Sequence, residues 1–194
     1  MKMMIRELIH DPMFLGIKSK PATKEDSLIA SDLLDTLNAH RETCVGMAAN
    51  MIGKTVKIIA FIDGVRPTVM YNPEITFKAA PYETEEGCLS LLGAPRKTTR
   101  YKTIKVKYQD DKFQWKTKSF SGFTAQIIQH EIDHCKRICV LNQKITLIKL
   151  NIGYNPTDTL YFHRVSVIIF QKFGSSLEPV GKNLQYSRKN LINL

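Results

Sequence analysis

The chain has 194 residues, 43% hydrophobic and 24% charged, a balance that fits one soluble globular domain with a sizeable core. Its longest apolar runs, such as 58–62, are far too short for a membrane span, and Lys2, Arg6 and Glu7 interrupt the first ten residues where a secretory signal would be continuous, so a cytoplasmic protein with no membrane partner is expected. The net charge of +10 admits a polyanionic partner, yet no aromatic–basic motif of a known RNA-binding module accompanies it, which argues against a specific nucleic acid.

Thr23 and Asp26 resemble a loose capping box, and Leu28, Ile29, Leu33, Leu34 and Leu37 follow at helical spacing; the pattern predicts an amphipathic helix over 24–40. From Val56 the chain turns to short β-rich stretches, 56–62, 68–71, 75–79, 103–108 and 113–120. Gly64, Asn72-Pro73 and Asp110-Asp111 punctuate them, which reads as an antiparallel meander. A second helix is predicted over 123–139, with Ile127, Ile128, Ile132 and Cys135 as its apolar stripe. Helix, sheet, helix is an α+β plan, with antiparallel sheets around the second helix. Residues 1–142 are expected to form the main domain. Residues 143–194 are an extension without alanine, broken by Gly153, Pro156, Gly174, Pro179 and Gly181, with one strand-like run at 165–170. Half of the chain's net charge falls in this basic tail, which suits solubility or a transient ribosome contact.

The second predicted helix contains His130-Glu131-Ile132-Asp133-His134, an HExxH sequence. Spacing of i and i+4 puts both imidazoles on one face, where they can hold one divalent metal, and Glu131 stands beside it to handle the proton of a water. A hydrolytic site needs a third protein ligand and an open fourth position. Four cysteines in this length are too few for a disulfide scaffold, and Cys88, in the turn-like Glu86-Gly87-Cys88-Leu89-Ser90, is the candidate ligand. Cys44, Cys135 and Cys139 read as small core residues.

Gln129–His134 and Glu86–Ser90 resemble the third and second motifs of peptide deformylases, and Cys44-Val45-Gly46-Met47-Ala48-Ala49-Asn50-Met51 resembles their first, usually G-x-G-Φ-A-A-x-Q, with Φ apolar. The resemblance covers about residues 1–140. It implies a metallohydrolase that removes the formyl group from N-formylmethionyl peptides, with iron(II) as the usual metal and zinc or nickel as substitutes. It also implies residue roles. Cys88, His130 and His134 would bind the metal, Glu131 would act as base and then acid, and the Leu89 backbone N–H would donate to the oxyanion. Cys44, Val45, Gly46, Glu86 and Gly87 would contact substrate, Gly46 by letting its backbone approach, and Arg100 would pair with Glu86.

Three departures follow from the same alignment of motifs, one of them Cys44 in the place of the first motif's opening glycine. Met51 stands where the family has glutamine and has no amide to donate, while Asn50, pointing elsewhere on the backbone, does not replace it. Lys136-Arg137 replaces a smaller continuation after the last histidine. Three other readings compete: a deformylase-like protein of low or absent activity, acting on another N-acyl peptide or as a binding module; an HExxH protease with Asp158 as third ligand; and a structural metal site in an RNA-binding protein.

Overall fold

The computed structural model describes residues 3–91 and 93–136; the expected strand at 165–170, Cys139, Asp158 and the extension lie outside the described residues. Helix α1 (Pro12–Leu15) is followed by a 3₁₀ turn (Lys24–Asp26) and helix α2 (Ser27–Ala39). Strand β1 (Gly46–Ala48) and a second 3₁₀ turn (Ala49–Ile52) lead into β2 (Ile58–Asp63), β3 (Arg66–Glu86), β4 (Arg96–Gln109), β5 (Trp115–Ser121) and helix α3 (Gly122–Cys135).

The expected capping box is present: the Thr23 N–H donates to Asp26 Oδ2 at 2.7 Å, opening the turn that runs into α2. Burial on α2 falls on Ala30, Leu33, Thr36 and Leu37, so the inward stripe runs at i, i+3 and i+7. Leu28 lies off that line and is exposed, contrary to the sequence-based stripe.

All five strands form one antiparallel sheet in the order β1-β2-β3-β4-β5, the expected meander, but one sheet where several were anticipated. Asn72-Pro73 does not end a strand. Asn72 takes a left-handed backbone (φ 52°) inside β3, and the pairing with β4 shifts there. Its amide meets the cost: Oδ1 accepts from Ala22 N–H, and Nδ2 donates to Ala22 O and Gln109 Oε1. A bulge with satisfied polar groups lets two short predicted strands fuse into one of 21 residues. At the other end, Phe113 (φ 58°) belongs to the Asp110–Gln114 turn, so β5 starts at Trp115.

Helix α3 packs against the face of the sheet that carries Ile59, Phe61, Met70, Ile104, Val106 and Phe120. The turn into it is made by Gly122 at φ 58°, where a side chain would be strained. Along the helix Gln129 is almost fully buried. Its Oε1 accepts from Tyr101 N–H at 3.0 Å and its Nε2 donates to Tyr101 O at 2.9 Å. Pairing of β4 with β5 stops at Thr103–Ser121, so this amide stands in for the missing strand residue and ties α3 to β4. The helix ends at Cys135, earlier than the predicted Cys139, with Lys136 as its cap. Its last carbonyls are taken by Ser19 N–H on Cys135 O and by Asn50 Nδ2 on His134 O, both at 3.1 Å, so the end holding His134 is fixed from two sides.

Candidate metal centre

The HExxH spacing puts the His130 and His134 rings one turn apart, with centroids 5.0 Å from each other. Cys88 arrives from the segment after β3, and its Sγ lies 3.2 Å from His134 Nε2. The possible ligand atoms of Cys88, His130 and His134 all fall within 4.8 Å of one another, which fits a single ion held by one sulfur and two nitrogens. Glu131 is completely buried, and both its oxygens lack a hydrogen-bond partner among the described residues. A buried carboxylate without a donor is costly, and a cation with bound water beside it would remove that cost. The donor set and this orphaned carboxylate therefore both fit a divalent metal.

Behind His130 stands a buried charge network. Its Nδ1 lies 2.9 Å from Glu86 Oε2, leaving Nε2 to face the ligand cluster. Arg100 clamps Glu86 with Nε on Oε1 at 2.8 Å and Nη2 on Oε2 at 2.7 Å, and its Nη1 donates to Asp133. Gln126 Nε2 adds a bond to Glu86 Oε1 at 3.1 Å, and the Tyr82 hydroxyl donates to Gln126 Oε1 at 2.9 Å. Such partners fix a ligating ring in orientation. Burial by itself would raise the Glu86 carboxyl, but the bonds from Arg100 and His130 outweigh it and hold it at about 2. Burial lowers His134 well below the ordinary histidine range, with the charges of His130 and Arg100 adding to the effect; burial also pulls His130 down, but its bonds to Cys88 and Glu86 outweigh that and raise it to about 10, so a metal binding there would have to displace its proton. Burial raises Glu131 to about 7.

The remaining expected site residues divide. Glu86 is almost fully buried and engaged by Arg100, Gln126 and His130, so its carboxylate is placed to hold the His130 ring. Cys44 is fully buried, its thiol donating to Gly46 O, and burial pushes it up to about 12; its side chain belongs to the core and does not line an open site. Gly46 faces α3: an added Cβ would meet Ile127 Cγ2 at 2.5 Å and Glu131 Oε1 at 2.7 Å. Val45, Gly87 and Leu89 are half-buried. Met51 is fully buried in the core, and its Sδ accepts from Ala48 N–H at 3.4 Å, a weak bond of the kind a thioether can offer. Sequence reasoning gave no role to Gln126, Asp133 or Tyr82. Gln126 could have been found, since it lies at i−4 from His130 on the same helical face.

A profile of the polypeptide deformylase family matches residues 8–149. A peptide deformylase from Clostridium beijerinckii is 53% identical over 137 residues, 71% of this chain and all of its own length. A crystal structure of peptide deformylase from Thermotoga maritima superposes with a TM-score of 0.63 at 27% identity, covering 73% of this chain and 97% of that one. One from Thermus thermophilus gives 0.65 at 28% identity, covering 87% and 98%.

Proposed function

The chain belongs to the polypeptide deformylase family, metallohydrolases that act on N-formyl peptides, and from that premise we propose that it deformylates N-formylmethionyl peptides at one metal held by Cys88, His130 and His134. The observation that carries this reading is the convergence of those three side chains beside a buried carboxylate with no hydrogen-bond partner among the described residues. One thiolate and two imidazoles suit a borderline-soft ion, and we assign iron(II), with zinc or nickel able to replace it. When bound, the ion acidifies a water and polarises the formyl oxygen.

The chain's own residues do the rest. Glu131 would take the proton of the attacking water as it adds to the formyl carbon and return it to the leaving amine as formate departs. The Leu89 N–H donates to the oxygen that becomes negative. Glu86, steadied by Arg100, holds the His130 ring. Val45, Gly46 and Gly87 wall the place of the substrate backbone. Met51 supplies no donor, so less of the oxyanion's charge is met than where a glutamine stands. The HExxH helix is the centre of this arrangement and residues 1–142 its working unit; residues 143–194 form an extension whose basic residues suit a transient ribosome contact. A thiolate ligand suits a reducing cytoplasm, and no helix among the described residues is long and apolar enough to cross a membrane.

The test is formate release from formyl-Met-Ala by protein loaded with iron(II) under anaerobic conditions, with acetyl-Met-Ala as comparison. Release from the formyl peptide, lost in Glu131→Gln at unchanged metal content, supports the reading. Equal turnover of the acetyl peptide would sink it in favour of another N-acyl substrate.

A further inference from the structure

From Arg96 to Lys118, the β4–β5 hairpin carries nine basic residues against Asp110 and Asp111, a net +7 of the chain's +10. Ile104 and Val106 are fully buried toward α3, so alternation along β4 turns Lys105 and Lys107 to the opposite, outer face of the sheet. In register, Lys105 stands between Phe77 on β3 and Ser119 on β5, and Lys107 between Glu74 and Thr117. Trp115 lies on the same face opposite Gln109. Phe77 and Trp115 are 54% and 55% exposed, and Lys107 Nζ sits 4.7 Å from the centre of the Trp115 ring. Exposed Lys112 extends the basic row at the hairpin tip.

Lysines on an edge strand commonly guard it against pairing with another chain. That accounts for Lys116 and Lys118 on β5, which are moreover engaged by Asp110 and Asp63. It does not account for Lys105 and Lys107, because β4 is paired on both sides. Nor does it explain two half-exposed aromatic rings beside them.

We propose that this outer face of β3, β4 and β5 binds single-stranded RNA without sequence preference, its bases stacking on Phe77 and Trp115 and its phosphates meeting Lys105, Lys107 and Lys112. An antiparallel sheet that presents rings and lysines together matches a strand whose bases are unstacked and whose backbone is anionic. By strand spacing and rise, the two rings stand roughly 17 Å apart across the face, so one short extended strand reaches both. A duplex keeps its bases inside and offers these rings nothing. An anionic membrane would favour rings gathered at one apolar tip, whereas here they flank a row of lysines and Glu74.

The chain's only tryptophan lies in the interface, so its fluorescence reads binding directly. The full-length, metal-loaded protein is titrated with a single-stranded oligoadenylate of about 12 nucleotides at roughly 50 mM salt. Trp115 emission is expected to be quenched. The logarithm of affinity should fall against that of salt with a slope of about −2, from about 0.7 for each of three phosphates met. Fluorescence anisotropy of labelled RNA should show at least about tenfold weaker binding for K105E/K107E. Trp115→Leu should weaken it several-fold, with deformylation by both variants unchanged. The same protein should bind duplex RNA less well. Absence of quenching and of anisotropy change, equal affinity of K105E/K107E, or a response to phosphatidylglycerol vesicles and not to RNA would each overturn the proposal.

Discussion

Gly46→Ala separates two meanings of a glycine beside a hydrolytic site. If the glycine exists to admit the substrate backbone, a methyl group there should raise KM. The structure gives it another neighbour, since the methyl would lie 2.5 Å from Ile127 Cγ2 and 2.7 Å from Glu131 Oε1. Carbon atoms need about 3.5 Å or more, so the Ile127 contact must open by about 1 Å. Ile127 is buried in the core beside α3, and the Glu131 side chain is completely buried with no hydrogen-bond partner among the described residues to hold its carboxylate in place. Overpacking of this kind costs about 1–3 kcal/mol, a fall in Tm of roughly 2–12 °C for a domain of this size. A base moved by about 1 Å can lose about 100-fold in rate. We therefore expect kcat to fall by about two orders of magnitude with KM little changed and metal content intact. Steady-state formate release, metal analysis and thermal unfolding on one preparation measure all three. A raised KM at normal kcat, or a Tm within a degree of the parent and full activity, would refute the packing argument.

Adding metal at about 100 times its dissociation constant should stabilise the parent by about 2.7 kcal/mol, and Cys88→Ala should show almost none of that gain; a full Tm response in the mutant would remove Cys88 from the ligand set. Met51→Gln should raise formate release several-fold at unchanged metal content, because one oxyanion donor is commonly worth about 10²–10³ in kcat; an equal or lower rate in the folded mutant would mean that the amide is not what limits turnover. Burial holds the Cys44 thiol up to about 12, so iodoacetamide at neutral pH should leave it unmodified in the folded protein while the half-buried Cys88 of the metal-free form reacts. Peptide mass spectrometry reads this, and equal labelling of both would contradict the burial of Cys44. A chain cut after Asn142 should still fold and bind one metal; loss of either would place residues 143–194 within the working domain.

The histidine pair is legible as a candidate metal site because it rests on local chemistry, whereas Cys88, distant in the chain, is a candidate through its turn-like segment and the motif resemblance. The i, i+4 pair His130 and His134 needs only a helix, and Thr23 with Asp26 marks the start of α2 through a bond three residues long. The meander was visible for the same reason, since turns and alternation are properties of neighbours. Other features depend on groups far apart in the chain. Asn72 looked like a turn, but contacts with Ala22 and Gln109 let it bulge within β3. Glu86 is expected as a substrate contact, and only the folded chain shows Arg100, Gln126 and His130 around its carboxylate. Cys44 occupied a position of the motif without touching an open site, because it is packed into the core with α2 and β1. Gly46 is expected to admit a substrate backbone, and only the packing of β1 against α3 shows that a side chain there would also meet Ile127 and Glu131. Short-range bonds and periodicity mark the histidine pair as candidate ligands, whereas burial and partner choice are set by elements that meet only in the folded chain, so the tertiary structure alone brings Cys88 beside that pair and sets the residues behind it.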